Sequence, residues 1–224
     1  MTNSPPSLLY GMAELPRVLL ELTMLFMAPP AYEAGDGHTV VVMPGFMCGE
    51  HSTVLLRQFL TKAGYEVYDW GLGVNMGSVT IGHDGAILDG VLNSYASDDK
   101  ITIIGHSLGG VMAVDYAARY HENVRQVICL GSPTNHDGVS LSTRKLYTAI
   151  TGESPPVKVL TAPKVPITSI FSNSDGIVAP QSCHDSFFRN VEVHSSHFGL
   201  VINRSVLEIV ADTLCIHSKE RIYA

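Results

Sequence analysis

The chain has 224 residues, 46% of them apolar and only 16% charged, with a formal net charge of −7 at pH 7. This length and composition fit a packed α/β domain with a sizeable core. The acidic balance, with no basic run, argues against nucleic acid or an anionic membrane as the main partner.

Residues 1–6 carry no pattern and are expected to be disordered. Residues 8–27 read as a helix, bent near Pro16, whose second half is strongly apolar. The apolar run is too short to span a bilayer and contains Glu21. No Lys or Arg precedes Arg17, and Pro29-Pro30 is not a small-residue cleavage site, so neither a span nor a signal peptide is expected. Packing on the domain is the expected role of this helix. A lipid-touching interfacial helix would require an apolar face left exposed after folding.

After a turn-rich lead-in, residues 38–43 (His-Thr-Val-Val-Val-Met) show no polar alternation, as in a strand buried on both faces of a parallel sheet. Pro44-Gly45-Phe46 ends it. A helix is predicted over 52–62, a strand over 65–70, a glycine-rich loop over 71–77 and a helix over 84–95. Then come a strand at 101–104, a helix at 111–120 and a strand at 124–130. Residues 134–165 are irregular apart from a helix near 143–150, and a segment that long inside a compact domain suggests a cap or lid. Strands at 167–171 and 191–193 and a helix at 204–217 close the chain. The alternation predicts a mostly parallel sheet with helices on both faces, in a single domain of residues 1–224 with residues 1–37 as a helical extension. The four cysteines, Cys48, Cys129, Cys183 and Cys215, form no C-x-x-C pair and ask for no oxidising compartment, so a cytoplasmic location is expected.

The chemistry concentrates at Gly105-His106-Ser107-Leu108-Gly109-Gly110, between a strand and a helix. Glycines two residues either side of a serine allow a tight elbow that lifts the hydroxyl clear of the sheet. The bare pattern also suits an ordinary βα turn. What distinguishes it is its setting, with candidate partners downstream in Ser-Asp-His order. A serine needs a general base and a group to orient that base. Asp175 and His197 follow predicted strands, where functional side chains of open α/β sheets collect. Asp137 and Asp185 compete for the acid role, and His194 for the base. His106 is expected to be a packed neighbour of the elbow. The backbone N–H groups of Leu108 and Phe46 are the candidate oxyanion donors. Phe46, Met47, Met76, Val178, Phe198 and Leu200 are candidates to line an apolar substrate pocket. His194 and His197 form a loose H-x-x-H without the helical context that holds zinc, so no metal or other cofactor is expected.

Together, residues 40–46, 105–110, 174–178 and 196–200 resemble the α/β-hydrolase superfamily, in particular small bacterial esterases and lipases. Residues 69–73 and 75–77 are similar to a subgroup of small hydrolases. The resemblance covers most of the chain from His38 onward. It implies an α/β-hydrolase fold and hydrolysis of a small-molecule or lipid-like ester through an acyl-enzyme. Ser107 would attack, His197 would move the proton and Asp175 would orient it. Pro44 stands where many lipases carry a histidine. The modest cap implies short to medium acyl groups. A thioesterase or acyltransferase would use the same triad, and a non-catalytic binding protein of this fold would typically lack one member. A haloalkane dehalogenase would carry Asp in place of Ser107.

Overall fold

The structure, a computed structural model, describes residue 6 and residues 8–97, 99–135, 139–155 and 163–222. Along the chain run α1 (Leu8–Met27), β1 (Thr39–Met43), a 3-10 turn (Glu50–Thr53) leading into α2 (Val54–Lys62), β2 (Glu66–Asp69), the one-turn α3 (Ser78–Ile81) and α4 (Ala86–Tyr95). They are followed by β3 (Ile101–His106), α5 (Leu108–Arg119), β4 (Val124–Leu130), α6 (Leu141–Thr151), β5 (Ile167–Ser172), α7 (Pro180–Cys183), β6 (Arg189–Val193) and α8 (Arg204–Ile222).

The six strands form one sheet in the order β2-β1-β3-β4-β5-β6, and every adjacent pair is parallel. Successive side chains of a strand point to opposite faces, so one sequence run feeds two apolar layers. Val41, Met43, Ile103 and Val127 pack under α4 and α5. Val40, Val42, Ile104 and Ile128 pack under α2 and α8. All six residues of β3 are buried, whereas the edge strands β2 and β6 carry exposed positions.

β3 runs two residues beyond its apolar core, through Gly105 and His106. Ladder partners continue on both sides: Gly105 is opposite Met43 and Cys129, and His106 is opposite Leu130. The strand therefore delivers the chain directly into the elbow, and α5 starts at Leu108 rather than at the predicted Val111. In the expected cap, α6 is described and the bridge between Val139 and Val178 ties its start to the Asp175 loop. Residues 136–138, including Asp137, and residues 156–162 lie outside the described residues, as do residues 1–5.

α1 packs on the domain as expected but with its sidedness inverted. Its three charged residues, Glu14, Arg17 and Glu21, turn inward, and both glutamates are buried. Met12, Leu15 and Met27 are 84%, 74% and 81% exposed. Val18, Leu22 and Leu25 make its apolar contacts with the core. The helix continues through Pro16. Among the described residues, no helix is long and apolar enough to cross a membrane.

Candidate active site

The elbow works because its glycines let helix and strand touch. A Cβ on Gly105 would lie 2.3 Å from Gly110 Cα, and one on Gly110 would lie 2.0 Å from Ser132 Oγ. Ser107 between them sits at φ 52°, ψ −119°. Among the described residues it shares a positive φ with one other non-glycine, Met47 at 60°. Such conformations cost about 1–3 kcal/mol and persist where the surroundings over-determine them, typically at functional sites.

Backbone contacts gather the remaining groups around the serine. Ser107 N–H donates to the carbonyl of Leu130 at 2.9 Å, at the end of β4. The next residue, Gly131, faces the acid and base: a Cβ there would lie 3.3 Å from both Asp175 Oδ2 and His197 Nδ1. On the other side, a Cβ on Gly45 would lie 3.2 Å from Ser107 Cβ. The carboxyl ends of β1, β3, β4, β5 and β6 thus supply one cluster.

Asp175 and His197 are both buried, with Nδ1 donating to Oδ2 at 2.6 Å. This bond leaves Nε2 of a neutral ring as a proton acceptor. Asp175 Oδ1 accepts N–H bonds from Ile177 and Val178, each at 2.8 Å, which fixes the carboxylate plane. Burial pulls the His197 pKa down. The charge and hydrogen bond of Asp175 and the charge of Glu14 outweigh it, so the net direction is up.

The rivals are occupied elsewhere. His194 Nδ1 lies 3.3 Å from Ser174 Oγ, and Asp185 caps the turn at Phe187 N–H, at 2.8 Å. His106 is buried against the base, their ring centroids 4.8 Å apart, and its Nε2 donates to the His197 carbonyl at 3.0 Å. Burial and the adjacent His197 push the His106 pKa down to about 3. A ring held neutral and used as a donor to backbone serves as a strut between the elbow and the His197 loop.

Leu108 opens α5 directly after the serine, at the positive end of the helix. Phe46 lies in the loop that buried Asn75 staples from three directions. Asn75 Nδ2 donates to Pro44 O at 2.8 Å, its N–H donates to Cys48 O at 2.9 Å, and its carbonyl accepts Met47 N–H at 2.7 Å. The Phe46 ring packs on Tyr147 of α6, with centroids 4.9 Å apart. Of the candidate pocket residues, Met47 and Phe198 are exposed beside this cluster and Met76 is half-buried. Val178 packs with Phe171 and Cys183, and fully buried Leu200 belongs to the core under α2 and α8. Those two are core residues. A cavity of about 380 Å³ lies between α3, α4, α5 and α6, lined in part by Leu88, Met112 and Tyr147 and by no residue of the Ser107–Asp175–His197 set.

A model of the alpha/beta hydrolase family matches residues 39–190, more than half of the chain. The chain belongs to the alpha/beta hydrolase family. Solved structures similar to this hydrolase include one of the metagenome-derived lipolytic enzymes LipS and LipT, at 18% identity and TM-score 0.59 over 86% of this chain and 98% of that one. MGS-MChE2, an alpha/beta hydrolase from the metagenome of lagoon sediments at Mar Chica, Morocco, is 18% identical with TM-score 0.59, over 84% and 93%. The thioesterase domain from the curacin biosynthetic pathway is 12% identical with TM-score 0.55, over 82% and 93%. At these identities the likeness speaks for the fold. No curated protein matches the chain.

In this hydrolase the Asp175 and His197 loops are gripped from outside the matched region by α1. Glu14 Oε1 accepts Gly176 N–H at 2.9 Å, and Oε2 accepts the N–H groups of His197 at 2.8 Å and Phe198 at 3.4 Å. One turn on, Arg17 donates to the carbonyl and hydroxyl of Ser174. Two turns on from Glu14, Glu21 accepts from Ser195 Oγ at 2.8 Å and from Ser196 N–H at 2.9 Å, and also from Ser196 Oγ. Gly176 is needed for this approach, since a Cβ there would lie 2.4 Å from Gly11 N. No catalytic motif contains these residues. Their signal was a charge at i, i+3 and i+7 on one face of a helix otherwise free of charge.

Proposed function

We propose that this hydrolase cleaves carboxylic esters of small-molecule or lipid-like substrates through an acyl-enzyme. The observation that carries the reading is the strained Ser107 at the end of β3 beside a buried Asp175–His197 pair 2.6 Å apart. Ser107 Oγ attacks the ester carbonyl carbon while His197 Nε2 takes its proton. The tetrahedral oxyanion receives the N–H groups of Phe46 and Leu108. Collapse breaks the bond to the alkoxy oxygen, which leaves with the proton from His197, and the acyl group remains on Ser107. Water then repeats the sequence: His197 takes its proton, the acid departs and Ser107 recovers its hydrogen. Asp175 keeps the imidazole in the required tautomer and stabilises the imidazolium that forms twice per turnover. α6, packed on Phe46 through Tyr147, acts as a small cap, which favours short to medium acyl groups.

The test is hydrolysis of p-nitrophenyl esters of graded acyl length, wild type beside Ser107→Ala. The expected outcome is turnover peaking below long-chain esters and lost in the variant. Undiminished activity in Ser107→Ala refutes the nucleophile. Turnover of thioesters but of no oxygen ester refutes the substrate class and keeps the triad.

A further inference from the structure

The outward half of α1 has no partner among the described residues. At 100° per residue, Leu9, Met12, Leu15, Leu19, Leu20, Met24, Phe26 and Met27 span an arc of about 180°. They are 54% to 84% exposed, and no charged side chain lies among them. The charges that would normally make the water-facing side of an amphipathic helix are spent on the Asp175 and His197 loops instead. We propose that this face is a docking surface for an uncharged or zwitterionic lipid surface, which it meets with α1 lying in the plane of the interface.

Three observations select this occupant. The first is width. Two helices packed side by side bury a narrow seam of each, whereas a half-cylinder of apolar residues is covered when the helix lies in a lipid interface with that side sunk about 5–10 Å into it. The second is area. A seam along a helix about 30 Å long and about 10 Å wide offers about 300 Å² per copy. A stable pair of chains buries about 800 Å² on each partner. The third is charge. The face holds no Lys or Arg and the whole chain carries −7, so an anionic surface would repel it while a neutral one would not. Near the catalytic edge, exposed Phe198, whose ring packs against that of His197, and exposed Met47, two residues past Gly45, add further apolar surface.

The experiment is flotation of the full chain with phosphatidylcholine vesicles, with light scattering on the same samples without lipid. It reads binding and not turnover, so it stands apart from the ester assay: Ser107→Ala is expected to float like the wild type. The double variant Leu15→Ser, Leu19→Ser, checked by circular dichroism for an unchanged fold, is expected to lose at least tenfold in the vesicle-bound fraction. Phosphatidylglycerol in the vesicles is expected to weaken wild-type binding. The proposal is overturned by a wild type that fails to float, or by a variant that floats as well as the wild type. It is equally overturned by a dimer in solution that the variant dissociates, which would assign the face to a second copy of the chain.

Discussion

Glu14 offers the sharpest test of how α1 and the catalytic loops are linked. Its carboxylate accepts three backbone N–H bonds, one from Gly176 and two from His197 and Phe198, all in a buried setting. Glu14→Gln keeps the shape but only one oxygen. If the amide oxygen faces His197, the NH₂ meets Gly176 N–H donor to donor; the opposite orientation sacrifices the other two bonds. Hydrogen bonds to charged groups contribute about 1.5–3 kcal/mol each, so Gln is expected to destabilise the protein by about 2–3 kcal/mol. Ala strands three buried donors and is expected to cost about 3–5 kcal/mol. Catalysis should suffer as well, because a misplacement of about 1 Å at a catalytic group lowers rates by about 100-fold. The pH profile separates this role from plain stability. Glu14 is one of the charges that raise His197, so its removal lowers the base's pKa and moves the acid limb of kcat/KM to lower pH. The assay is p-nitrophenyl butyrate hydrolysis across the acid limb, with urea unfolding of the same preparations. If Glu14→Gln leaves kcat/KM within twofold of wild type and the limb in place, the linkage between α1 and the base is refuted.

Asp175→Asn removes the leading source of the upward shift of His197, so the acid limb, expected above pH 6.5 in the wild type, should fall while kcat drops by about 10³–10⁴-fold. His106 is held neutral in the fold with its pKa depressed from 6.5 to about 3, so its contribution to stability is present above pH 6.5 and is lost as the pH falls from there towards 3. Urea midpoints should decline over that window, and more shallowly in His106→Gln. Asn75→Ala frees the Phe46 loop by removing the Nδ2 bond to Pro44 O, and kcat is expected to fall about 10-fold or more with KM little changed. Gly110→Ala drives a methyl into Ser132 Oγ and should cost about 3 kcal/mol or prevent folding; Ser132→Gly in the same chain should recover part of it.

The centre of the fold was legible because β1, β3 and β4 carry the apolar stretches 40–43, 103–104 and 127–130, buried on both faces of the sheet. The elbow was legible because the close approach of β3 and α5 admits nothing but glycine at Gly105 and Gly110. Elements of one turn, α3 and α7, are too short to imprint a period. The first two residues of β6, Arg189 and Asn190, were missed because an edge strand does not need apolar positions there. Chain proximity puts Val178 and Leu200 beside the site, but Leu200 lies in a 3-10 turn, Phe198–Val201, that carries it into the core. What the inward face of α1 binds was not legible, for a deeper reason. Glu21 counted as a polar interruption of an apolar helix, yet its ligands are loop groups near Ser195, 174 residues away. Periodicity reports which residues share a face. It does not report whether that face will find donors to bind.

The grip of α1 on the loops also has a temporal side. Its bonds to Gly176 and His197 close loops of 162 and 183 residues, among the most distant pairings in the chain. On the ribosome α1 emerges before every strand, with its carboxylates and its apolar half both unsatisfied, and it must wait for nearly all the sheet before its partners exist. Loop closure over such distances is slow to form and late in any pathway. Catalytic competence is therefore expected to trail the collapse of the sheet during refolding, with the gain of activity lagging the recovery of fluorescence from buried Trp70.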